Sequence, residues 1–291
     1  MRIGRVSSWL LLLALPALAL AALACEEEEE EAAATPAAET PLAETPAAET
    51  PAVTAPELSD GTLQIGSDIA YAPIEFFEEG TENAMGLDVD LANAIAEELG
   101  VDVEFINTGF DGIISALQAE RFDVIMSAMT VTEERQAEID FVPYITAGTG
   151  ILVQAGNPEN IQTMEDLCGT TVAVQVGTIQ VNQLEDQNEL CAESITISTF
   201  DLNPLAVEQL RLGRANAVLA DYPVAAYDAS LSEGELEIAG APFPPEPYGI
   251  GLRKESTELN AALSAALQAV MDSGKYDEIL ADWGLEAGSI K

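Results

Sequence analysis

From residue 58 onward, short apolar runs alternate with amphipathic segments. Thr62–Ile65 and Asp123–Met126 are apolar enough to predict buried strands, and Val101–Phe105 alternates apolar and acidic residues as a half-buried strand does. Asp88–Leu99 repeats leucine or isoleucine every fourth residue, which predicts a helix capped by Asp88. This β-α-β order favours an α/β fold with mostly parallel sheets.

A second α/β region follows Gly148–Gly150. It contains predicted strands at Ile151–Gln154, Thr171–Gln175, Ile195–Ser198 and Ala217–Ala220, with predicted helices at Thr178–Leu184 and Asn203–Leu212. The pattern indicates two lobes, with residues 58–147 and 249–291 forming the first and residues 148–248 the second. Two crossings, near Ala147–Gly150 and Pro247–Gly249, would form a hinge, and a ligand would bind in the cleft between the lobes.

The first 57 residues follow different patterns. A basic start and an apolar stretch predict a signal peptide over residues 1–24, which would leave Cys25 as the mature N-terminus. Lipidation at Cys25 is the favoured expectation, and simple secretion is the alternative. Residues 25–57 combine an acidic run with a Thr-Pro repeat of period five, and proline at that spacing predicts an extended, unfolded tether.

The composition excludes several classes of function. A formal net charge of −41 opposes binding to nucleic acid and to anionic lipid, so contact with a membrane is expected only through the lipid anchor. The chain has no histidine and only three cysteines, which argues against a metal site. In an exported protein, Cys168 and Cys191 indicate a disulfide, with two free buried thiols as the alternative.

The segment Asp123–Arg135, with the sequence DVIMSAMTVTEER, predicts a cradle for a carboxylate. A strand runs into the small and hydroxyl-bearing residues Ser127, Ala128 and Thr130, and a helix start with Arg135 follows. Backbone N–H groups and hydroxyls would supply hydrogen bonds, while the guanidinium would supply a two-pronged charged partner. Proteins hold the α-carboxylate of an amino acid in this way.

Four further features lie where a ligand site is expected. Asp68 and Tyr71 follow the first strand, and in α/β folds ligands bind at the carboxyl ends of strands. Phe110 opens a helix, Val176-Gly177-Thr178 stands at another strand-to-helix junction, and Asp221 ends a strand. Taken singly, Asp68 could be a turn residue and Asp221 a helix cap. Tyr71 and Phe110 could be ordinary core aromatics.

Together these motifs resemble the periplasmic solute-binding proteins of ABC importers, specifically the polar amino-acid family, from about Asp60 to Glu286. The motifs that carry the resemblance are Gly86-Leu87-Asp88-Val89-Asp90-Leu91, Phe110-x-Gly112, Thr130-x-Thr132-x-x-Arg135, Val176-Gly177-Thr178, Gly251-Leu252-Arg253-Lys254 and Gly274-x-Tyr276-x-x-Ile279-x-x-x-Trp283. The resemblance implies the two-lobed periplasmic-binding-protein fold of type II, without a cofactor.

The resemblance also implies roles for individual residues. Arg135, helped by Thr130 and the backbone at Ala128, would hold the ligand α-carboxylate, and Asp221 would receive the α-ammonium. Tyr71 and Phe110 would sandwich the ligand side chain. The complete predicted ligand set is Asp68, Tyr71, Phe110, Ser127, Ala128, Thr130, Arg135, Gln175, Gly177, Thr178, Ile179 and Asp221.

A charge count narrows the expected ligand. If Arg135 and Asp221 neutralise the α-groups, Asp68 remains unpaired in a closing cleft, where an uncompensated charge is unfavourable. A basic or glutamine-like amino acid would resolve this. The resemblance implies a monomeric, extracytoplasmic binding protein that delivers its amino acid to an ABC permease. The alternatives are a lipoprotein that serves a separate sensor and an enzyme similar to cyclohexadienyl dehydratases.

Overall fold

The computed structural model describes residues 55–291. Its strands are β1 (Thr62–Ser67), β2 (Ala70–Tyr71), β3 (Glu75–Phe77), β4 (Ala84–Met85), β5 (Asp102–Asn107), β6 (Val124–Ile125), β7 (Asp140–Ala147), β8 (Thr149–Gln154), β9 (Thr171–Gln175), β10 (Thr196–Phe200), β11 (Ala217–Asp221), β12 (Leu236–Ala239) and β13 (Glu246–Leu252). Its α-helices are α1 (Leu87–Leu99), α2 (Ile113–Gln118), α3 (Glu133–Glu138), α4 (Ile179–Leu190), α5 (Asn203–Arg211), α6 (Tyr222–Leu231), α7 (Thr257–Ser273) and α8 (Lys275–Trp283).

Two five-stranded sheets form the two lobes. The first has the strand order β5-β1-β6-β13-β7 and the second β10-β9-β11-β8-β12, while β2, β3 and β4 make a small third sheet. The predicted two-lobed α/β architecture is confirmed. Each large sheet is mixed rather than mostly parallel, because the strands that enter and leave the hinge, β7, β8 and β13, pair antiparallel with their neighbours.

The two crossings between the lobes run side by side. The first is the step from β7 to β8 at Gly148, and the second spans residues 240–245, so it ends before the predicted Pro247–Gly249. Phe243 donates its backbone N–H to the carbonyl of Thr149 at 2.9 Å. A Cβ atom at Gly148 would lie 2.1 Å from the carbonyl oxygen of Phe243. Only glycine lets the two crossings approach this closely.

The start of α1 differs from the predicted start. The helix begins at Leu87 with Gly86 as its N-cap, and Gly86 adopts φ 129° with no room for a Cβ beside the carbonyl of Ile74. The predicted cap, Asp88, therefore lies inside the first turn, and its side chain is fully buried. The hydrophobic pattern did not predict four further features: the small third sheet, the strands β7 and β12, and the helix α6. Their sequences are short or only weakly periodic.

The folded unit begins before the predicted end of the tether. Pro56–Leu58 form a 3-10 helix, Ala55 is buried, and Glu57 approaches Arg253 with an N–O distance of 3.9 Å. The predicted signal peptide, the lipidation at Cys25 and residues 25–54 of the tether lie outside the described residues. Within residues 55–291, none of the helices is both long and apolar enough to cross a membrane.

Aromatic side chains join the lobes on the outside of the cleft. Phe76 of β3 lies 6.1 Å, between ring centroids, from Tyr227 of α6 in the second lobe. The ring of Trp283 meets Phe76 edge-on at 6.0 Å, and its indole N–H donates to Asp90 at 2.8 Å. We call Phe76, Tyr227 and Trp283 the aromatic bridge. It fixes the position of β3 relative to both lobes.

We expect Gly148→Ala to destabilise the protein, because the added methyl group overlaps a backbone carbonyl that cannot rotate away. Overpacking of this kind typically lowers the free energy of unfolding by about 1–3 kcal/mol. Urea unfolding followed by circular dichroism measures the change. The matched control is Gly109→Ala, where a Cβ meets nothing within 4 Å. Equal stabilities of the two variants would contradict the proposed crowding.

Candidate functional site

A narrow pocket, with a cavity volume of about 10 Å³, lies between the lobes, at the carboxyl ends of strands from both large sheets. The first lobe supplies Asp68, Glu75 and the aromatic and cradle residues, and the second supplies Gln175, Asp221 and the start of α4. The lining residues are Asp68, Tyr71, Glu75, Phe110, Ser127, Ala128, Thr130, Arg135, Gln175, Thr178, Ile179, Gln180 and Asp221. The structure thus brings the predicted ligand residues together, and Gly177 is the one member of that set that does not line the pocket. The roles of these residues in binding stay predictions.

The predicted cradle forms as a strand, a loop and a helix start. After β6, the loop passes through Ser127 and Thr130 to Thr132, whose hydroxyl accepts the backbone N–H of Arg135 at 3.2 Å and caps α3. The Arg135 guanidinium donates to the carbonyl of Thr130 at 2.7 Å and lies 5.3 Å from the centroid of the Phe110 ring. These two contacts aim the guanidinium along the pocket.

The Ala128 amide has a different role from the predicted one. Its N–H donates to the Asp88 carboxylate at 3.0 Å, so it is engaged behind the cradle and is not available to a ligand carboxylate. The sequence could not reveal this, because Asp88 is 40 positions away and its inward orientation depends on the helix starting at Leu87.

Within residues 55–291, four direct hydrogen bonds between three residue pairs cross the cleft, and each uses a predicted ligand residue. The Tyr71 hydroxyl donates to the Asp221 carboxylate at 3.0 Å and accepts the Asp221 backbone N–H at 3.0 Å. The Gln175 amide donates to Asp68 at 2.5 Å, and Arg135 donates to the carbonyl of Gly177 at 3.1 Å. Gly177 therefore contributes its backbone to the cleft without lining the pocket.

Asp68 is not left unpaired by closure, contrary to the charge count made from the sequence. One of its oxygens accepts from Gln175, and Ser127 holds its backbone by accepting the Asp68 N–H at 2.9 Å. Burial raises the pKa of Asp68 to about 6, and the Gln175 hydrogen bond opposes that rise. The neutral carboxamide of Gln175 thus compensates part of the Asp68 charge. Closure therefore does not by itself require a cationic ligand side chain.

Asp221 is the fully enclosed acid of the second lobe. Its two oxygens accept hydrogen bonds from Tyr71 and, at 2.9 Å, from the side chain of Gln180, which also donates to Thr149. Burial raises the pKa of Asp221 to about 6, and these hydrogen bonds oppose the rise. Arg135 loses some of its basicity to burial, which lowers its pKa, while the nearby Asp221 charge raises it.

Two pocket residues were missed by the sequence reading. Gln180 is buried in the first turn of α4, where a neutral amide gives no charge signal. Glu75 is also buried, accepts a hydrogen bond from the Ser127 hydroxyl at 2.8 Å, and has a second oxygen without a partner among the described residues. Burial raises its pKa well above the ordinary value, and the Asp88 charge adds to the effect. The sequence feature that could have indicated Glu75 as a pocket residue is its position as a single acid between the apolar residues Ile74 and Phe76.

Cys168 and Cys191 are joined by a disulfide in the second lobe, as predicted. Cys191 is the C-cap of α4, the helix whose first turn carries Gln180. The bridge therefore ties the far end of a pocket-lining helix to the segment that precedes β9.

Comparison with known proteins agrees with this geometry. A model of the family described as bacterial extracellular solute-binding proteins, family 3, matches residues 63–286. The chain belongs to this family. The solute-binding protein is 34% identical to the arginine-binding protein ArgT of Corynebacterium glutamicum, over 78% of this chain and 76% of that one. It is 31% identical to the L-cystine-binding protein TcyJ of Escherichia coli K12, over 77% and 82% of the two chains.

Solved structures give the same result. An ancestral arginine-binding protein bound to arginine is 39% identical to this solute-binding protein, with a TM-score of 0.72 over 77% of this chain and 98% of that one. The ancestral amino acid-binding protein AncCDT-1, described as a precursor of cyclohexadienyl dehydratase, has 39% identity and a TM-score of 0.72, covering 78% and 96% of the two chains.

We expect Tyr71→Phe to weaken lobe closure while keeping the aromatic wall. The change leaves the Asp221 N–H and one Asp221 oxygen without their partner, and each buried unpaired group costs about 1–3 kcal/mol. Small-angle scattering should show a more open ensemble, and urea unfolding a lower free energy. Tyr222→Phe, at a ring that is 36% exposed, is the matched control. An unchanged scattering profile for Tyr71→Phe would contradict this.

We expect the ligand-free protein to become more stable as the pH falls from 7 towards 4. Asp68 and Asp221 each have a folded-state pKa of about 6 against an ordinary value of 3.8. Between those values the folded state binds more protons, so stability decreases as the pH rises, by up to about 3 kcal/mol per group.

Urea unfolding at pH 5 and pH 7.5 measures this difference. Asp221→Asn should reduce the dependence, because the variant has no proton to bind at that site, whereas Asp68, Asp88 and Asp228, whose pKa values burial also raises, remain. Asp166→Asn is the control, since hydrogen bonds from the Gln162 and Thr163 amides lower the pKa of Asp166. Stability that rises with pH in the wild type, and equally in Asp221→Asn, would contradict the assignment.

Proposed function

We propose that this solute-binding protein captures an amino acid with a basic side chain, with arginine as the first candidate. One observation carries the proposal: a single guanidinium, that of Arg135, shares a closed pocket with the three buried carboxyl groups of Asp68, Glu75 and Asp221. A basic amino acid has the complementary charges, one carboxylate and two cations.

The separation of these charges suggests the ligand orientation. Arg135 and the Thr130 segment of the cradle would hold the α-carboxylate, and Asp221 in the opposite lobe would hold the α-ammonium. The side chain would then extend between Tyr71 and Phe110. Its cationic end would meet Asp68, and its charge would lower the raised pKa of Glu75, so that the unpartnered Glu75 oxygen would become a second acceptor for one guanidinium.

Glutamine is a second candidate, supported by a specific contact. The Gln175 side chain already places a carboxamide against Asp68, at 2.5 Å, so the site suits a carboxamide donor as well as a cation. An acidic ligand would add a carboxylate to the three buried acids and is disfavoured.

Closure would couple binding to transport. An amino acid docked on the first lobe would bridge to Asp221 and Gln180, and the hydrogen bonds that cross the cleft would then lock the two lobes around it. The closed form would be recognised by an ABC permease. We further propose anchoring through a lipid at Cys25, which would keep the protein at the outer face of the membrane.

We propose that the ligand leaves unchanged. The sequence has no histidine, and two of the three pocket acids, Asp68 and Asp221, are engaged in hydrogen bonds across the cleft, which leaves them poorly placed as general acids or bases. Glu75, the third acid, keeps one oxygen without a partner among the described residues, so it is the group that the following test addresses. Chromatography of the ligand before and after prolonged incubation with the protein tests this. Conversion of a cyclohexadienyl substrate would contradict it.

Isothermal titration calorimetry with arginine, lysine, ornithine, glutamine, cystine and glutamate tests the ligand class. We expect the strongest binding with arginine, and a loss of at least about 100-fold, or ~2.7 kcal/mol, in Arg135→Ala, because the α-carboxylate then has no charged partner. Arg121→Ala, at an exposed arginine away from the pocket, is the matched control. Glutamate binding tighter than arginine and glutamine would overturn the proposal.

A further inference from the structure

We propose that Asp88 is a positioning residue for the carboxylate cradle: from outside the pocket, its buried side chain holds the Ala128 peptide in the conformation that shapes the cradle. Only the expected effect of Asp88 on ligand affinity rests on the function proposed above, because it assumes that the cradle holds an α-carboxylate. The positioning itself concerns the protein alone.

Asp88 lies behind the cradle with all of its contacts inside the first lobe. It is fully buried in the first turn of α1 and does not line the pocket. One carboxylate oxygen accepts the Ala128 N–H at 3.0 Å, and the Tyr144 hydroxyl donates to the carboxylate with O–O distances of 2.7 and 2.9 Å. Asp88 therefore connects α1, the cradle and β7, the strand that leads into the hinge.

Ala128 needs such a partner because of its backbone. Its φ of +46° lies in the left-handed region, which is unfavourable for a residue with a Cβ atom. A hydrogen bond from a backbone N–H to a carboxylate is among the stronger ones in proteins, so it offsets this strain. Without Asp88, the Ala128 peptide would relax towards an extended conformation.

The opposite side of the cradle is already fixed by another element. Gly249 of β13 donates its N–H to the carbonyl of Met129 at 3.0 Å, and Val131 donates to the carbonyl of Pro247 at 2.8 Å. The residues between Ser127 and Thr130 thus span from Asp88 to the hinge strand β13. A shift at Ala128 would move the Ser127 hydroxyl and the start of the Thr130 segment, both of which line the pocket.

The first test is structural and independent of any ligand. Burial raises the pKa of Asp88 to about 7, so the comparison is made above that pH, where the carboxylate is ionised. We expect Asp88→Asn to speed hydrogen exchange at the Ala128 amide by about tenfold or more in nuclear magnetic resonance, because a neutral oxygen replaces the carboxylate acceptor. Asp90→Asn is the matched control: it is in the same helical turn, but its carboxylate accepts from Trp283 and does not contact the cradle. Unchanged exchange at Ala128 in Asp88→Asn overturns the proposal.

The second test measures the consequence for binding, with arginine and with agmatine, which is arginine without its α-carboxylate. We expect Asp88→Asn to weaken arginine about tenfold and to leave agmatine within twofold, whereas a general loss of structure would weaken both. Adding Ala128→Gly to Asp88→Asn should restore part of the arginine affinity, because glycine adopts positive φ without strain. Equal losses for the two ligands, or no rescue, would overturn the positioning role.

If Asp88→Asn does not fold, Tyr144→Phe provides the same comparison. It keeps the carboxylate but removes the hydroxyl that orients it, and we expect about a threefold fall in the ratio of arginine to agmatine affinity. An unchanged ratio overturns the proposal. A wild type that binds neither arginine nor agmatine would refute the proposed function, while hydrogen exchange at Ala128 would still decide the role of Asp88.

Discussion

The structure depends on holding acidic side chains out of water between two lobes. Asp68, Glu75 and Asp221 face one pocket, and Arg135 is the cation that lines it. Isolated buried carboxylates are unfavourable, so each acid needs hydrogen-bond donors from nearby elements or a proton. That requirement explains why the pocket is built from strand ends, a helix start and residues of both lobes, since no single element offers enough donors.

The donors that satisfy these acids also hold the lobes together. Tyr71 reaches Asp221 and Gln175 reaches Asp68 across the cleft, so closed lobes compensate charge that open lobes would leave to solvent. A ligand entering the pocket must therefore replace or extend contacts that the protein can make by itself. The affinity for a ligand is then set by the difference in free energy between two states in which the acids are already compensated.

The sequence predicted the residues whose chemistry appears in a local pattern. Thr132 caps a helix that carries Arg135, and this unit is contained within a few consecutive residues. Glu75 shows the limit of such reasoning. Glu75 is buried, whereas the apolar Phe76 beside it is only partly buried, which is the reverse of what their polarities predict. The reason is that the Glu75 side chain faces the other acids and not the apolar core. Likewise, the contact between Asp88 and Ala128 joins residues 40 positions apart and has no local signature.

The aromatic bridge makes the state of the cleft visible from outside. The sequence contains two tryptophans, Trp9 and Trp283, and Trp9 falls within the predicted signal peptide. A protein cleaved there would carry one indole, packed against Phe76, which in turn touches Tyr227 of the other lobe. A rotation that separates Tyr227 from Phe76 would expose the ring against which that indole packs. Opening and closing would thus appear in the intrinsic ultraviolet emission of the unlabelled protein.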